Sequence, residues 1–168
     1  AARPIRKILF ATDFSESAHA MEALVIEWAQ RLQAEVEILH VLFDTMVLFA
    51  PYAVPDTRAY DEELMIAARR RMEGVLDRFL SAGLSAKSKV VCGFASEQIL
   101  ERAEAIDAQW IAMGTRGHSG LRRFRLGSVA HRVLRHAPCN VLVADGDDNN
   151  GANGANGVNG ADGAGTGS

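Results

Sequence analysis

The amino-acid sequence predicts an α/β domain built on a parallel sheet with helices over both faces. Two observations carry this. Short apolar runs of strand length alternate with stretches whose apolar residues recur at helical spacing, and the alternation persists from residue 5 to residue 144. The order it spells is β-α-β-α-β-α-β-α-β, and strands separated by helices pair in parallel through right-handed crossovers.

Each element has its own signal. IRKILFAT (5–12) is an apolar run closed by Thr-Asp, as a buried strand would be. Ser15 or Ser17 then caps a helix in which Ala18, Met21, Val25, Trp28 and Leu32 form one stripe. EVEILHVL (35–42) alternates and is rich in strand-favouring residues. After a long connection, Leu64, Ala68, Met72, Val75 and Phe79 mark a second helix, which Gly83 ends. SAKSKVVC (85–92) is a third strand, SEQILERAEAI (96–106) a short helix and WIAMG (110–114) a fourth strand. Ser128 to His136 forms the last helix, with Val129, Val133 and Leu134 inward, and CNVLVA (139–144) the last strand.

Composition narrows the function. The chain has 168 residues, an apolar fraction of 48% and a net charge of −3, enough for one cored domain and too little positive charge for a general nucleic-acid or anionic-membrane binder. Beyond Asp145 an Asn-Gly-Ala repeat has almost nothing to bury, so residues 1–145 read as the domain and 146–168 as a flexible tail. Cys92 and Cys139 are the only cysteines, a usage that suits a reducing cytoplasm. The longest uncharged apolar run, TMVLFAPYAVP, is too short to span a bilayer, and AARPIRKILFATDF lacks the apolar stretch of a secretory signal. The expectation is a cytoplasmic protein with no membrane insertion. His131, His136 and Cys139 invite a metal reading, but the two histidines diverge on a helix, which favours surface histidines and a packed thiol.

The segment GTRGHSGLRRFRLGS (114–128) carries the chemistry. It sets four glycines and four arginines between a strand and a helix, where an open α/β sheet places its ligand. Gly114 and Gly117 permit close backbone approach, and Gly127 and Ser128 open a helix whose N–H groups and dipole favour a phosphate. The Ser128 hydroxyl has two uses, as helix cap or as phosphate partner. Arg116, Arg122, Arg123 and Arg125 add charge, unless they are solvated arginines of an ordinary loop. Asp13 at the end of the first strand is either a turn aspartate or a partner for ribose or base. Val41 and His40 are core and packing residues by default. No G-x-x-x-x-G-K-[ST], no G-x-G-x-x-G after the first strand and no nucleophile elbow is present, which argues against P-loop, dinucleotide and serine-hydrolase chemistry.

Gly114, two residues, Gly117, nine residues, then Gly127-Ser128 resembles the G-2x-G-9x-G-[ST] motif of the universal stress protein family, ATP-binding type. ATDFSESA, LHV, MGTRGHSGL and GSVAHRVLRHAPCNVLVA are similar to its flanking stretches, so the likeness covers residues 4 to 144. The resemblance implies an open five-stranded parallel sheet of the adenine nucleotide alpha hydrolase-like kind, in strand order 3-2-1-4-5, and a homodimer through the last strand. It implies ATP, or ADP or AMP, in the cleft, with Mg2+ as an optional companion. Asp13 and the Val41 backbone would hold the adenine-ribose end, with Thr12 beside them among the cofactor-binding residues. Met113, Gly114, Arg116 and Gly117 would line the ribose and phosphate path, and Gly127, Ser128 and Val129 would take the phosphates. Phe94 and Asn140 stand where the family commonly has proline, and Arg125 is a less usual neighbour of the motif.

The function so implied is a stress or signalling regulator whose binding of an unknown protein partner, or dimer state, follows the nucleotide. A slow ATP hydrolase and a dimeric scaffold without nucleotide are the competing readings. A hydrolase would want a water-positioning base and a metal-binding carboxylate near the γ-phosphate, and Asp13 is the one obvious acid near the motif. The apolar connection 43–60 is a lid, a partner surface or a cover for the sheet edge.

Overall fold

The structure, a computed structural model, describes residues 4–43, 58–115 and 126–145, with the backbone alone for 58–60. The elements are β1 (Lys7–Ala11), α1 (Glu16–Leu32), β2 (Glu35–Leu42), α2 (Arg58–Ser81), β3 (Ala86–Cys92), α3 (Ala95–Ala105), β4 (Trp110–Gly114), α4 (Ser128–His136) and β5 (Asn140–Ala144). All five strands are parallel, in the order β3-β2-β1-β4-β5. β1 is central, with Ile8 opposite Val36 on one side and Trp110 on the other.

Alternation along β1 divides the core in two. Ile8 and Phe10 pack with Met21, Val25 and Ala29 of α1 and Met72, Val75 and Phe79 of α2. Leu9 and Ala11 pack on the other face with Ile99 and Ala103 of α3 and Ala130 and Val133 of α4. Each face is also tied by a carboxylate that strand or helix geometry takes out of water. Glu22 of α1 accepts two hydrogen bonds from Arg78 of α2, at 2.5 and 3.0 Å. Glu37 of β2, 3% exposed, accepts a pair from Arg102 of α3 and meets Lys87 of β3 at 3.1 Å.

Local signals hold at the helix ends. Ser15, rather than Ser17, is the cap of α1, its hydroxyl accepting from the Ala18 N–H at 3.3 Å. Gly83 takes φ +78 just after α2, which a residue with a Cβ rarely adopts. The helical stripes need correction at their margins. Leu134 is 43% exposed rather than inward, and Ala130 takes its place in the core beside Val133. Trp28 is 42% exposed, set edge-on to Trp110 with the Arg31 guanidinium over its ring. The 146–168 tail, and the 43–60 connection apart from Phe43 and the first turn of α2, lie outside the described residues.

Candidate functional site

The strand order reverses at β1, whose neighbours β2 and β4 lead to opposite edges of the sheet. A crevice opens beyond the carboxyl ends of the strands at such a point. Here it is a cavity of about 150 Å3, walled by the ends of β1, β2 and β4 and the first turns of α3 and α4. Thr12, Asp13, Val41, Met113, Gly114, Gly127, Ser128 and Val129 all line it. Arg116 and Gly117 lie outside the described residues, as do Arg122, Arg123 and Arg125.

The β1–α1 turn is held by its own side chains. The Thr12 N–H donates to the Leu39 carbonyl at 2.9 Å, and the Thr12 hydroxyl accepts from the Phe14 N–H at 3.1 Å. Asp13 Oδ1 accepts from the Ser15 N–H at 3.0 Å. Asp13 is therefore a turn aspartate, and it also lines the cavity. Phe14 sits in the left-handed region at φ 62, a conformation that costs a bulky residue unless its surroundings fix it. Two contacts to its ring do so. Its ring lies 4.4 Å from the His40 ring, and the Arg71 guanidinium lies 4.2 Å from its own centre. His40 is 9% exposed, with Nδ1 2.7 Å from the Thr12 carbonyl oxygen, a packing role in line with its place in a strand.

The opposite wall is set by backbone. The Thr115 N–H donates to the Ala144 carbonyl at 2.9 Å, and the Thr115 carbonyl accepts from the Gly127 N–H at 2.7 Å. This pair of bonds brings the end of β4 to the start of α4. Gly127 is the cap residue of α4 and Ser128 its first helical residue, so Ser128 does not take the capping position open to it in the sequence. The first turn of α4 holds no acidic residue, leaving the positive end of its dipole without a side-chain counter-charge on the helix itself.

Packing within the fold also requires that Gly114 lack a Cβ. A Cβ there would stand 2.8 Å from the Ala18 nitrogen, 2.9 Å from the Ser17 carbonyl carbon and well inside contact with the Ser17 hydroxyl. The glycine lets β4 and the first turn of α1 touch. Sequence reasoning missed Thr115, Ala95 and Ile99 as lining residues. Ala95 and Ile99 read as ordinary helix residues, and nothing in the spacing distinguished Thr115 from its neighbours. Cys139 is half-buried, and burial pushes its thiol above the ordinary range. Among the described residues no three His, Cys, Asp or Glu side chains converge as a metal site would require.

Comparison with known proteins agrees on one family. The model of the universal stress protein family matches residues 4–145. The universal stress protein YxiE of Bacillus subtilis is 33% identical over 145 residues, covering 82% of this chain and 97% of its own length. A solved structure of a Methanocaldococcus jannaschii member superposes with a TM-score of 0.76 at 28% identity, over 85% of this chain and 97% of that one. A Lactobacillus plantarum member gives 0.73 at 27%, over 86% and 99%. Two more distant members were solved in complex with cAMP, at 19% identity and a TM-score of 0.62, and with dAMP, from Archaeoglobus fulgidus, at 20% and 0.60. They cover 86% and 83% of this chain, and 99% and 97% of their own.

Proposed function

For a chain that belongs to the universal stress protein family, we propose a regulator that binds ATP or a related adenine nucleotide in the cleft beyond β1 and β4. The carrying observation is that one cavity gathers Thr12, Asp13, Val41, Met113 and Gly114 with the Gly127–Val129 end of the glycine motif. Asp13 and the Val41 backbone take the adenine-ribose end. Gly127, Ser128 and Val129 take the phosphates through the N-terminus of α4, which carries no competing acid in its first turn. Arg116 and Gly117 belong to the same path by sequence. The cAMP and dAMP complexes of distant relatives support a nucleotide of this class, and Mg2+ would accompany a triphosphate.

A ligand that prefers one dimer or partner-binding state shifts the population by its differential affinity alone, so regulation needs no turnover. The open edge of β5, with Val143 39% exposed, pairs with a second copy, since an unpaired strand edge is a ready template for another chain. The 146–168 tail serves as a spacer. Among the described residues no helix is long and apolar enough to cross a membrane, and the cytoplasm is the compartment proposed.

The test is mass spectrometry of nucleotide released from the purified protein, with ATP titration calorimetry with and without magnesium and with an Asp13→Ala variant. Binding in the micromolar range that Asp13→Ala weakens supports the reading. Steady release of ADP on long incubation would replace it with slow hydrolysis. No heat up to millimolar ATP would leave a dimeric scaffold.

A further inference from the structure

We propose that the Thr115 hydroxyl is a phosphate-binding group of this cleft, donating its hydrogen bond to a phosphate oxygen of the bound nucleotide. The inference rests on the nucleotide reading above and gives a role to a position that the glycine motif leaves unspecified. Thr115 is half-buried, lines the cavity and has both backbone groups engaged, its N–H by Ala144 and its carbonyl by Gly127. Its Oγ1 is different. It is out of contact with solvent and has no hydrogen-bond partner among the described residues, of which it is the one buried side-chain oxygen or nitrogen in that condition. Buried hydroxyls are nearly always paired, because an unpaired one forfeits the water it left. A valine of the same shape would avoid that loss, so the hydroxyl has a use outside the folded chain's own contacts.

Its position says what the partner is. The Gly127 N–H bonded to the Thr115 carbonyl belongs to the cap of α4, so Thr115 stands beside a helix N-terminus that presents donors. A hydroxyl adds one further donor to that set. The complement to several convergent donors is a group made only of acceptors, a phosphate rather than a ribose hydroxyl. Rotation about χ1 from one staggered well to another re-aims the threonine hydroxyl without moving the backbone, so Oγ1 can turn to the ligand while the Thr115 pairings to Ala144 and Gly127 stay intact.

The test uses the full chain with Thr115→Val and Thr115→Ser, measuring affinity for ATP and for adenosine, and the melting temperature without nucleotide. Thr115→Val weakens ATP about tenfold, or about 1.4 kcal/mol. It leaves adenosine unchanged and melts at or above the wild type, because the orphaned hydroxyl is gone. Thr115→Ser keeps the ATP affinity. Equal ATP affinity of Thr115→Val and wild type overturns the proposal, as does an equal loss for ATP and adenosine. A lower melting temperature of Thr115→Val without nucleotide also overturns it, by giving the hydroxyl a structural partner. Wild-type protein that binds neither compound defeats the nucleotide reading itself, a result distinct from the others.

Discussion

Gly114→Ala isolates the contact between β4 and α1. The backbone of Gly114 is not in the left-handed region, so alanine meets no conformational penalty there and the whole effect is steric. The new methyl would lie 2.8 Å from the Ala18 nitrogen and 2.9 Å from the Ser17 carbonyl carbon, both backbone atoms of a capped first turn. A flexible side chain could swing aside, but a helix backbone joined to its cap cannot. Overpacking of a rigid site costs about 1–3 kcal/mol, and backbone neighbours place this case near 3 kcal/mol. For a domain of this size that lowers the melting temperature by about 10 °C. The assay is thermal unfolding by circular dichroism without nucleotide, on Gly114→Ala alone and combined with Ser17→Ala. The double variant removes the hydroxyl contact but leaves both backbone contacts, so it recovers only part of the loss. A single variant that melts within about 2 °C of the wild type would refute the steric argument.

Three further outcomes follow from contacts elsewhere. Burial alone would raise the Glu37 carboxyl, but hydrogen bonds and charge from Arg102 and Lys87 outweigh it and hold the group below its ordinary value of 4.5. Its contribution to stability is therefore present above that value and lost as pH falls through the lower folded one, so Glu37→Gln flattens the acid limb of urea midpoint against pH. Arg102→Met leaves a carboxylate that is 3% exposed with only the exposed Lys87 beside it, and urea unfolding at neutral pH should register a loss of about 3 kcal/mol. Ser15→Ala removes the hydroxyl that accepts from Ala18 and should cost about 1 kcal/mol by the same measurement, with no change in the slope against urea.

What the sequence could and could not say divides along physical lines. Hydrophobic periodicity states which face of an element is apolar, and so the order of nine elements and the inward residues Met21, Val25, Met72, Val75, Phe79 and Val133 were legible. It does not state how far the neighbouring layer extends. Trp28 and Leu134 continue their stripes past the point where the sheet covers them, and both are left partly in water. Strand order came from the resemblance to a known family, because alternation alone permits several arrangements of the same strands. The cleft was legible through residues whose type and spacing are unusual, Asp13 and the glycines. The packing need for Gly114 was not legible, since a glycine in sequence shows that a Cβ is absent and not which neighbour excludes it. Thr115 was invisible, because what sets it apart is a missing partner.

The central place of β1 also fixes a timetable for folding. It is the first of the five strands to be synthesised, and β2 can join it once Leu42 has emerged, but β4 cannot do so before Gly114. At about 5–20 residues per second, one edge of β1 waits on the order of ten seconds for its second neighbour. Throughout that interval Leu9, Ala11 and Leu39 lack the cover that α4 later supplies, and for most of it that of α3 (Ala95–Ala105) as well. The nascent chain thus carries a half-covered sheet with an open central edge. Substitutions that delay the docking of β4 will increase aggregation during synthesis even where the finished domain is as stable as before.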